Sequence, residues 1–313
     1  MQTEAAMAHW PPLDYPSWKD TCTTVHMWTQ IVGKLRAALT PWTNHSWHVA
    51  LYVSARGLTS SPIPCGKRSF QIDFDFLAHS LEIARSDGAC ARLPLRARTV
   101  ADFYRELRAH LGTLGIDPPI HGAPNEVQVA IPFAQDRQHA AYDADAAQRF
   151  WRVLVQADRV LKQFRSGYIG KCSPVHFFWG SFDLAVTRFS GRRAPAHPGG
   201  VPHCPDWVVR EAYSHELSSC GFWPGGDAFP EPMFYAYAYP EPPGFAASRV
   251  AAPARYERQL GEFVLPYAAL RQTRDPDAML LAFLEQSYTA AATLGRWERA
   301  ALERPGAPDR NNH

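Results

Sequence analysis

The sequence lacks the short motifs by which common catalytic and nucleotide-binding sites are found. Its six cysteines form no CxxC pair, and no HExxH or HxH places two histidines at zinc-binding spacing. GxSxG, GxGxxG and a GxxxxGK run followed by Ser or Thr are also absent. These absences disfavour a serine-hydrolase elbow, a Rossmann nucleotide site and a P-loop. No motif therefore identifies a reaction.

Long apolar runs and a large net charge are missing as well. No apolar run approaches the roughly 18 residues of a membrane span. The formal net charge of +2 gives no overall field that would attract nucleic acid or an anionic membrane. The first residues, MQTEAAMAHWPPLDYP, lack the basic start and apolar core of a secretory signal. We therefore expect a cytoplasmic protein with free thiols and with neither nucleic-acid nor membrane partners.

Apolar residues, by contrast, are plentiful. The chain has 313 residues, of which 46% are hydrophobic, so it can bury a substantial core. In the first half, apolar spacing predicts a helix from about 18 to 39, and Thr99 is predicted to cap a second helix that runs to about 114. Between them, alternating patterns predict strands at 47–53 and 70–76 and a hairpin from 81 to 95.

The second half repeats this order after a connector at 116–143, in which one short strand is predicted at 126–131. A helix is predicted at 145–165 and another at 275–302. Strands are predicted at 177–187, 233–239 and 262–265, the second with Tyr235, Tyr237 and Tyr239 on one side. The proline- and glycine-rich interval 189–230 has no counterpart in the first half and is predicted to be a long covering loop.

These patterns predict an α+β fold of two related halves, each with helices packed on an antiparallel sheet. The halves would span 10–115 and 144–303, with mobile tails at 1–9 and 304–313. The spacing of Trp47 and Arg56 equals that of Trp179 and Arg188, which suggests an internal duplication. The two sheets would then join across a pseudo-two-fold axis, with a pocket at their shared centre.

Three strings in the chain resemble a bacterial family of uncharacterised proteins. They are HMWTQIVGK at 26–34, SPVHFFWGSFDLAVTRFSGRR at 173–193 and SHELSSCGFWPGG at 214–226. The resemblance spans roughly Trp10 to Glu303. It implies a cytosolic bacterial protein in which the three motifs belong to one unit, and it implies no activity, cofactor or catalytic residue.

A metal site is one interpretation of the polar residues in these strings. His176, His215 and Glu216 could form the facial arrangement of a mononuclear iron enzyme or a zinc site with an open position. Asp183, His26 and His48 are further candidate ligands. The alternative is that His176 is a core histidine, bonded to a backbone carbonyl or to Asp183.

A metal-free pocket for an anionic or aromatic molecule is the other interpretation. Arg188 and Arg193 would contact an anion, because guanidinium groups bind carboxylate and phosphate in pairs of hydrogen bonds. Flat apolar walls would come from Trp179, Trp223, Tyr235 and Tyr237, which could equally be core residues. The helical stripe of His26, Gln30 and Lys34 either lines this cavity or faces solvent.

The leading hypothesis is a soluble enzyme that acts on a small organic molecule in a central pocket, with or without a divalent metal such as zinc or iron. Its predicted catalytic residues are His176, Asp183 and Glu216. The alternative is a noncatalytic protein that binds or senses a small molecule, and a third possibility is a module that binds a protein partner. The sequence leaves the reaction, the substrate and the oligomeric state open.

Overall fold

The computed structural model describes residues 9–305. The long helices each begin at a capping side chain whose oxygen accepts a hydrogen bond from the backbone N–H three residues on, and these caps are Asp14, Thr99, Asp143 and Asp275. The α-helices are α1 (Tyr15–Leu39), α2 (Val100–Thr113), α3 (Ala144–Ser166), α4 (Asp206–Ala212), α5 (Tyr267–Arg271), α6 (Pro276–Leu294) and α7 (Arg299–Leu302). Within residues 9–305, no helix is both long and apolar enough to cross a membrane.

Two antiparallel sheets lie between these helices. Their strands are β1 (Tyr52–Val53), β2 (Gly57–Thr59), β3 (Ile63–Cys65), β4 (Arg68–Asp75), β5 (Ser80–Arg85), β6 (Cys90–Pro94), β7 (His176–Phe178), β8 (Asp183–Arg193), β9 (His215–Trp223), β10 (Met233–Tyr239), β11 (Arg255–Glu257) and β12 (Glu262–Pro266). The first sheet has the order β1-β2-β4-β5-β6, with β3 also paired to β4, and the second has the order β7-β8-β9-β10-β12-β11.

The two sheets meet where Leu51, just before β1, bonds to Phe177 in β7. The two residues exchange both backbone hydrogen bonds, at 2.9 and 2.8 Å. One buried core runs through both halves, because α1 packs against each of them. Trp28 of α1 stacks on Phe103 of α2, with ring centroids 4.6 Å apart, and Trp18 of α1 lies 4.9 Å from Phe150 of α3.

The predicted fold class is confirmed: the protein is α+β, with two halves that each pack helices on an antiparallel sheet. The helices at 18–39, 99–114 and 145–165, the strand at 70–76, the hairpin at 81–95 and the strands at 233–239 and 262–265 are also confirmed, with small shifts of their ends. The mobile tails predicted at 1–9 and 304–313 fall almost wholly outside the described residues.

Several predicted elements are wrong. Residues 44–49 form a 3-10 helix, so the strand predicted at 47–53 is reduced to Tyr52–Val53, and residues 126–131 form no strand. The strand predicted at 177–187 is a hairpin of β7 and β8 that turns at 179–182. The interval 189–230 contains the end of β8, then α4 and β9, and the helix predicted at 275–302 is divided into α6 and α7.

The residue pairs that suggested an internal duplication do not occupy equivalent positions in the two halves. Trp47 lies in the 3-10 helix, whereas Trp179 follows a strand. Arg56 is exposed in the turn between β1 and β2, whereas Arg188 is buried in β8. The two halves are therefore alike in architecture, but these four residues do not occupy matching positions.

Candidate small-molecule chamber

The second sheet has one apolar face and one face of small and hydroxyl-bearing residues. Residues paired across neighbouring strands point to the same side of a sheet. One row across β8, β9, β10 and β12 is apolar and packs into the core: Leu184, Phe222, Phe234 and Leu265. The adjacent rows on the other face are Ala185, Gly221, Tyr235 and Val264, then Thr187, Ser219 and Tyr237. The predicted tyrosine face of β10 therefore points away from the core, toward the cavities described next.

Two adjoining cavities, together called the chamber below, lie over this polar face. Their volumes are about 250 and 310 Å³. Parts of the 201–213 segment, including residues of α4, border the first cavity, while Trp223 and Glu262 border the second. The residues that border both are Glu126, Ser181, Asp183, Tyr213, Tyr235 and Tyr237. The chamber therefore combines the second sheet with Glu126 from the connector.

Asp183, at the start of β8, borders both cavities of the chamber. Its carboxyl group accepts hydrogen bonds from the hydroxyl groups of Ser181 and Tyr235. The residue is only 7% exposed, and this burial raises its pKa even though both hydrogen bonds act in the opposite direction. Asp183 therefore binds a proton more readily than an ordinary aspartate while its orientation is fixed.

Two glutamates join Asp183 in the chamber. Burial, and then the charge of Asp183, raise the pKa of Glu126 to about 7, although Lys34 acts to lower it. The same two causes raise the pKa of Glu262 to about 7. Many protein atoms lie near the Glu126 carboxyl group, but the residue itself is exposed, because its side chain borders both cavities. Both glutamates can therefore take up or release a proton near neutral pH.

Hydroxyl groups complete the polar lining. The hydroxyl groups of Tyr213 and Tyr237 lie 2.9 Å apart, and those of Thr187 and Ser219 also lie 2.9 Å apart. The rings of Tyr235 and Tyr237 stack with their centroids 6.1 Å apart. A ligand in the chamber would therefore meet hydroxyl groups and aromatic faces together with carboxyl groups.

The polar stripe of α1, which consists of His26, Gln30 and Lys34, holds the segments that carry Glu126 and the β7–β8 turn in place. The His26 ring nitrogen Nε2 lies 3.0 Å from the carbonyl oxygen of Trp179 and 2.9 Å from that of Gly180, so it carries the hydrogen and donates to them. Gln30 donates to the backbone oxygen of Asn125 at 2.7 Å and accepts from its backbone N–H at 2.9 Å. Lys34 donates to the Asn125 side chain. The stripe is therefore structural support for residues 125–126 and for the β7–β8 turn.

Two glycines allow these segments to approach closely. A Cβ atom on Gly33 in α1 would lie 2.2 Å from the indole nitrogen of Trp179, which donates to the Val49 carbonyl oxygen at 2.8 Å. A Cβ atom on Gly180 would lie 2.0 Å from a carboxyl oxygen of Glu126. The two sequence motifs at 26–34 and 173–193 are therefore in direct contact.

Several of the predicted site residues do lie at this site. Asp183, Tyr235, Tyr237 and Trp223 border the chamber. Lys34 and Trp179 border an adjoining groove. His26 bonds to the β7–β8 turn and Gln30 bonds to the connector. These residues therefore lie near one another, but His26 and Gln30 border neither the groove nor the chamber, and the roles predicted for all of them stay predictions.

Arg188 is not an anion contact, because it projects from β8 toward the core. It is 1% exposed, and its guanidinium carbon lies 3.4 Å from the ring centroid of Phe164 and 4.3 Å from that of Tyr288. It donates to the backbone oxygen of Phe164. Arg193 lies at the exposed end of β8, paired with His215, and borders neither cavity of the chamber.

The predicted metal ligands lie in separate surroundings. His176 is fully buried against the edges of Trp47, Tyr52 and Phe178, and neither of its ring nitrogens has a hydrogen-bond partner among the described residues. Burial lowers its pKa to about 3, so it is neutral. His176 is therefore a core residue, as the alternative prediction stated, but neither a backbone carbonyl nor Asp183 bonds to its ring.

Glu216 and His215 do not complete a metal site either. The Glu216 carboxyl group accepts from Ser190 and from Arg192, whereas the His215 ring bonds to Ser214. Across residues 9–305, no group of three or more His, Cys, Asp or Glu side chains is arranged to hold a metal ion. The metal interpretation of His176, His215 and Glu216 therefore has no support in the geometry.

The sequence did not single out Glu126, Glu262 or Tyr213 as site residues. For Glu262 a signal existed, because alternation along β12 places it on the side of Val264, which pairs with Tyr235. Glu126 gave no such signal, since it lies in a connector and its backbone adopts a left-handed conformation with φ of 59°. Tyr213 follows a short helix within the interval that was predicted to be a loop.

Comparison with known proteins gives a family and no activity. The sequence model of DUF5996, a family of unknown function, matches residues 10–304. No curated protein and no solved structure matches the chain.

Proposed function

The chain belongs to DUF5996, a family of unknown function, and we propose that it is an enzyme that performs acid–base chemistry on a small organic molecule in the chamber. Glu126 and Glu262 transfer protons. Asp183, held by Ser181 and Tyr235, orients the molecule and keeps the proton affinity of both glutamates high. Here Glu126 and Glu262 replace His176 and Glu216 as the proton-transferring groups, while Asp183 keeps a place in the site.

One observation carries the proposal: three carboxyl groups border one cavity, and two of them have pKa values near 7. A general acid or base works best when its pKa is close to the working pH, since both protonation states are then populated. Like charges in a poorly solvated site raise one another's pKa, as Asp183 does for both glutamates. Such shifts are typical of functional sites.

The chamber also favours a particular ligand chemistry. Carboxylate and tyrosine oxygens accept hydrogen bonds from amine and hydroxyl groups, and aromatic faces attract cations. Arg188 and Arg193 do not border the chamber, so an anion would meet carboxyl groups with no guanidinium partner. We therefore propose a substrate that bears amine or hydroxyl groups, in place of the anionic molecule that the sequence suggested.

The test is a thermal-shift screen of small amines, polyols and carboxylates against wild type and matched variants. Glu126→Gln, Glu262→Gln and Asp183→Asn remove one charge each and keep the shape of the side chain. Glu216→Gln is the control, because Glu216 is also a carboxylate of the second sheet but is bound by Arg192 on the far side from the chamber. We expect amines or polyols to raise the melting temperature of wild type and of the control, and to lose this effect in the chamber variants.

Two results would contradict the proposal: stabilisation by carboxylates alone, or an equal response of all four variants. Once a substrate is found, turnover should depend on pH in a bell shape, with two apparent pKa values that belong to the coupled group of carboxyls. Glu126→Gln should remove one limb of this profile.

Noncatalytic binding is the second candidate. Both oxygens of the Asp183 carboxyl group already accept a hydroxyl hydrogen bond, an arrangement that can recognise a ligand without moving a proton. A binding protein would retain its ligand through purification, so native mass spectrometry followed by denaturation should release a stoichiometric small molecule. Binding without turnover, in wild type as in Glu126→Gln, would favour this candidate over the enzyme.

A further inference from the structure

An apolar groove leads from the surface to the chamber. Its volume is about 540 Å³, which lies within the usual range of roughly 300–1,000 Å³ for small-molecule sites. The last turns of α1, the 119–121 segment and α4 form its walls. Trp42 and Trp207, both of which line it, are 57% and 61% exposed, so two large apolar side chains stand at its surface without being covered.

The groove and the chamber share a wall, so one molecule can extend through both. The residues that border both spaces are Ser46, Val49, Glu126, Phe178, Cys204 and Val208. Glu126 borders the groove and each of the two chamber cavities. A molecule that enters from the surface would therefore pass the Glu126 carboxyl group before it reaches Asp183 and Glu262.

The groove and the chamber carry different charged groups. On the groove side, the titratable groups besides Glu126 are Lys34, His48, His121, His203 and Cys204, so no second carboxylate lies there. Lys34 lies 5.5 Å from the ring centroid of Trp179 and donates to Asn125. On the chamber side, Asp183 and Glu262 follow Glu126. The three carboxyl groups therefore attract a cationic group to the chamber end, while an apolar chain or ring can pack against the apolar walls of the groove.

We infer that the ligand of this site is an amphipathic amine, whose ammonium group lies among Glu126, Asp183 and Glu262 and whose apolar chain or ring lies in the groove between Trp42 and Trp207. This inference deepens the proposed function and depends on it for the position of the amine. It adds the apolar part of the ligand, which the chamber alone does not define.

The test uses straight-chain primary amines from ethylamine to octylamine, with binding measured by calorimetry at fixed pH and salt. Burial of each methylene in an apolar groove should tighten binding roughly fourfold, the equivalent of about 0.8 kcal/mol per methylene. Trp42→Ala and Trp207→Ala should flatten this dependence on chain length and leave the affinity of ethylamine unchanged. Ile169→Ala is the control, since Ile169 is 58% exposed and does not border the groove.

The chamber part is tested separately with Glu126→Gln and Glu262→Gln, which should weaken every amine by a similar factor without changing the dependence on length. Loss of the length dependence alone would overturn the groove inference and leave the proposed function in place. Loss of the carboxylate dependence alone, with the length dependence retained, would overturn the proposed position of the amine. Tighter binding of alkanoates of equal length, or no binding by any amine, would overturn both. Tighter binding of alkanols would overturn the inferred ammonium group and leave the proposed function in place.

Discussion

Glu126 is held in an unusual backbone conformation at the point where the connector meets the chamber. A left-handed conformation costs a residue other than glycine about 1–3 kcal/mol, so its neighbours must compensate. The Glu126 backbone N–H donates to the Pro202 carbonyl oxygen at 2.8 Å, and Gln30 holds the preceding Asn125 through two hydrogen bonds. Backbone strain and a raised pKa are both typical of residues at functional sites.

Glu126→Gln should change how stability depends on pH. The pKa of Glu126 is about 7 in the folded protein against an ordinary value of 4.5, so its proton stabilises the fold fully below pH 4.5. That contribution is lost as pH rises toward 7. The variant has no such proton. We therefore expect wild type to lose melting temperature relative to Glu126→Gln between pH 5 and pH 8.

Glu303→Gln is the matched control for this titration. Burial opposes ionisation of Glu303, but hydrogen bonds from Arg299 and Tyr288 leave its pKa below the ordinary value. Its contribution to stability is therefore complete above pH 4.5 and is lost only in stronger acid. The difference between wild type and Glu303→Gln should stay flat from pH 5 to pH 8. A flat difference for Glu126→Gln as well would contradict the raised pKa.

His176→Phe should be tolerated, and it should help most in acid. Its two unpaired ring nitrogens are fully buried, so an aromatic ring without polar atoms removes a desolvation cost. The folded pKa is about 3 against 6.5, so wild type loses stability as pH falls from 6.5, because the unfolded histidine binds a proton. Melting curves at pH 8 and pH 5 should show the variant level with or above wild type, with the larger gain at pH 5.

His26→Phe gives the contrast, because the His26 ring donates to the Trp179 and Gly180 carbonyl oxygens. Its loss should cost about 1–3 kcal/mol at pH 8. If His176→Phe were equally destabilising, His176 would have a partner that the protein contacts do not reveal.

Some of the site was accessible to sequence reasoning and some was not. Alternation along 233–239 was enough to place Tyr235 and Tyr237 on one face, since a strand has a side-chain period of two. The same reasoning cannot say which face meets a cavity. Arg188 was assigned to the ligand on its charge, although the register places it on the side of Val186 and away from Thr187. Glu126 could not be found, because its position depends on contacts with α1 that lie about 95 residues away in sequence.

At the scale of elements, helices were predicted better than strands because their ends carry chemical signals. Thr99 caps α2, as its position before an apolar repeat indicated. The hairpin of β7 and β8 was read as one strand, since Phe177, Trp179 and Phe182 continue the aromatic pattern through the turn. Phe182 adopts a φ of 61°, and its ring stacks with His26 at 4.8 Å. Tertiary packing therefore decides this turn, against the local pattern.

The close contact of α1 with the β7–β8 turn predicts an unusual response to alanine. Glycine inside a helix normally costs up to about 1 kcal/mol relative to alanine. Gly33→Ala should nevertheless destabilise the protein by about 1–3 kcal/mol, because the new methyl group would overlap the Trp179 indole. Denaturant melts should show a lower midpoint and altered tryptophan emission.

Gly112→Ala is the control, because Gly112 lies in α2 and a Cβ atom there would have nothing within 4 Å. This substitution should raise the midpoint slightly. A rise for Gly33→Ala as well would contradict the close packing of α1 on Trp179.

At the scale of the whole molecule, the two halves share one buried core and are joined by backbone hydrogen bonds, which two independent domains would lack. Leu51 and Phe177 join the two sheets, and α1 packs on α2 through Trp28 and on α3 through Trp18. The buried core is a single cluster that includes residues of both halves. The chamber likewise draws on both, since Trp47 and Val49 of the first half border it together with Asp183 of the second.

Because of this shared core, the protein should unfold in one cooperative transition. Opening either half alone would expose the Trp18–Phe150 contact and break the Leu51–Phe177 hydrogen bonds, so neither half should persist without the other. Far-UV circular dichroism and tryptophan fluorescence should give the same midpoint in urea, and a ligand that binds the chamber should shift both midpoints together. Two separated transitions, or a ligand shift confined to one probe, would instead mean that the halves at 10–115 and 144–303 fold independently and that the chamber is a contact between two domains.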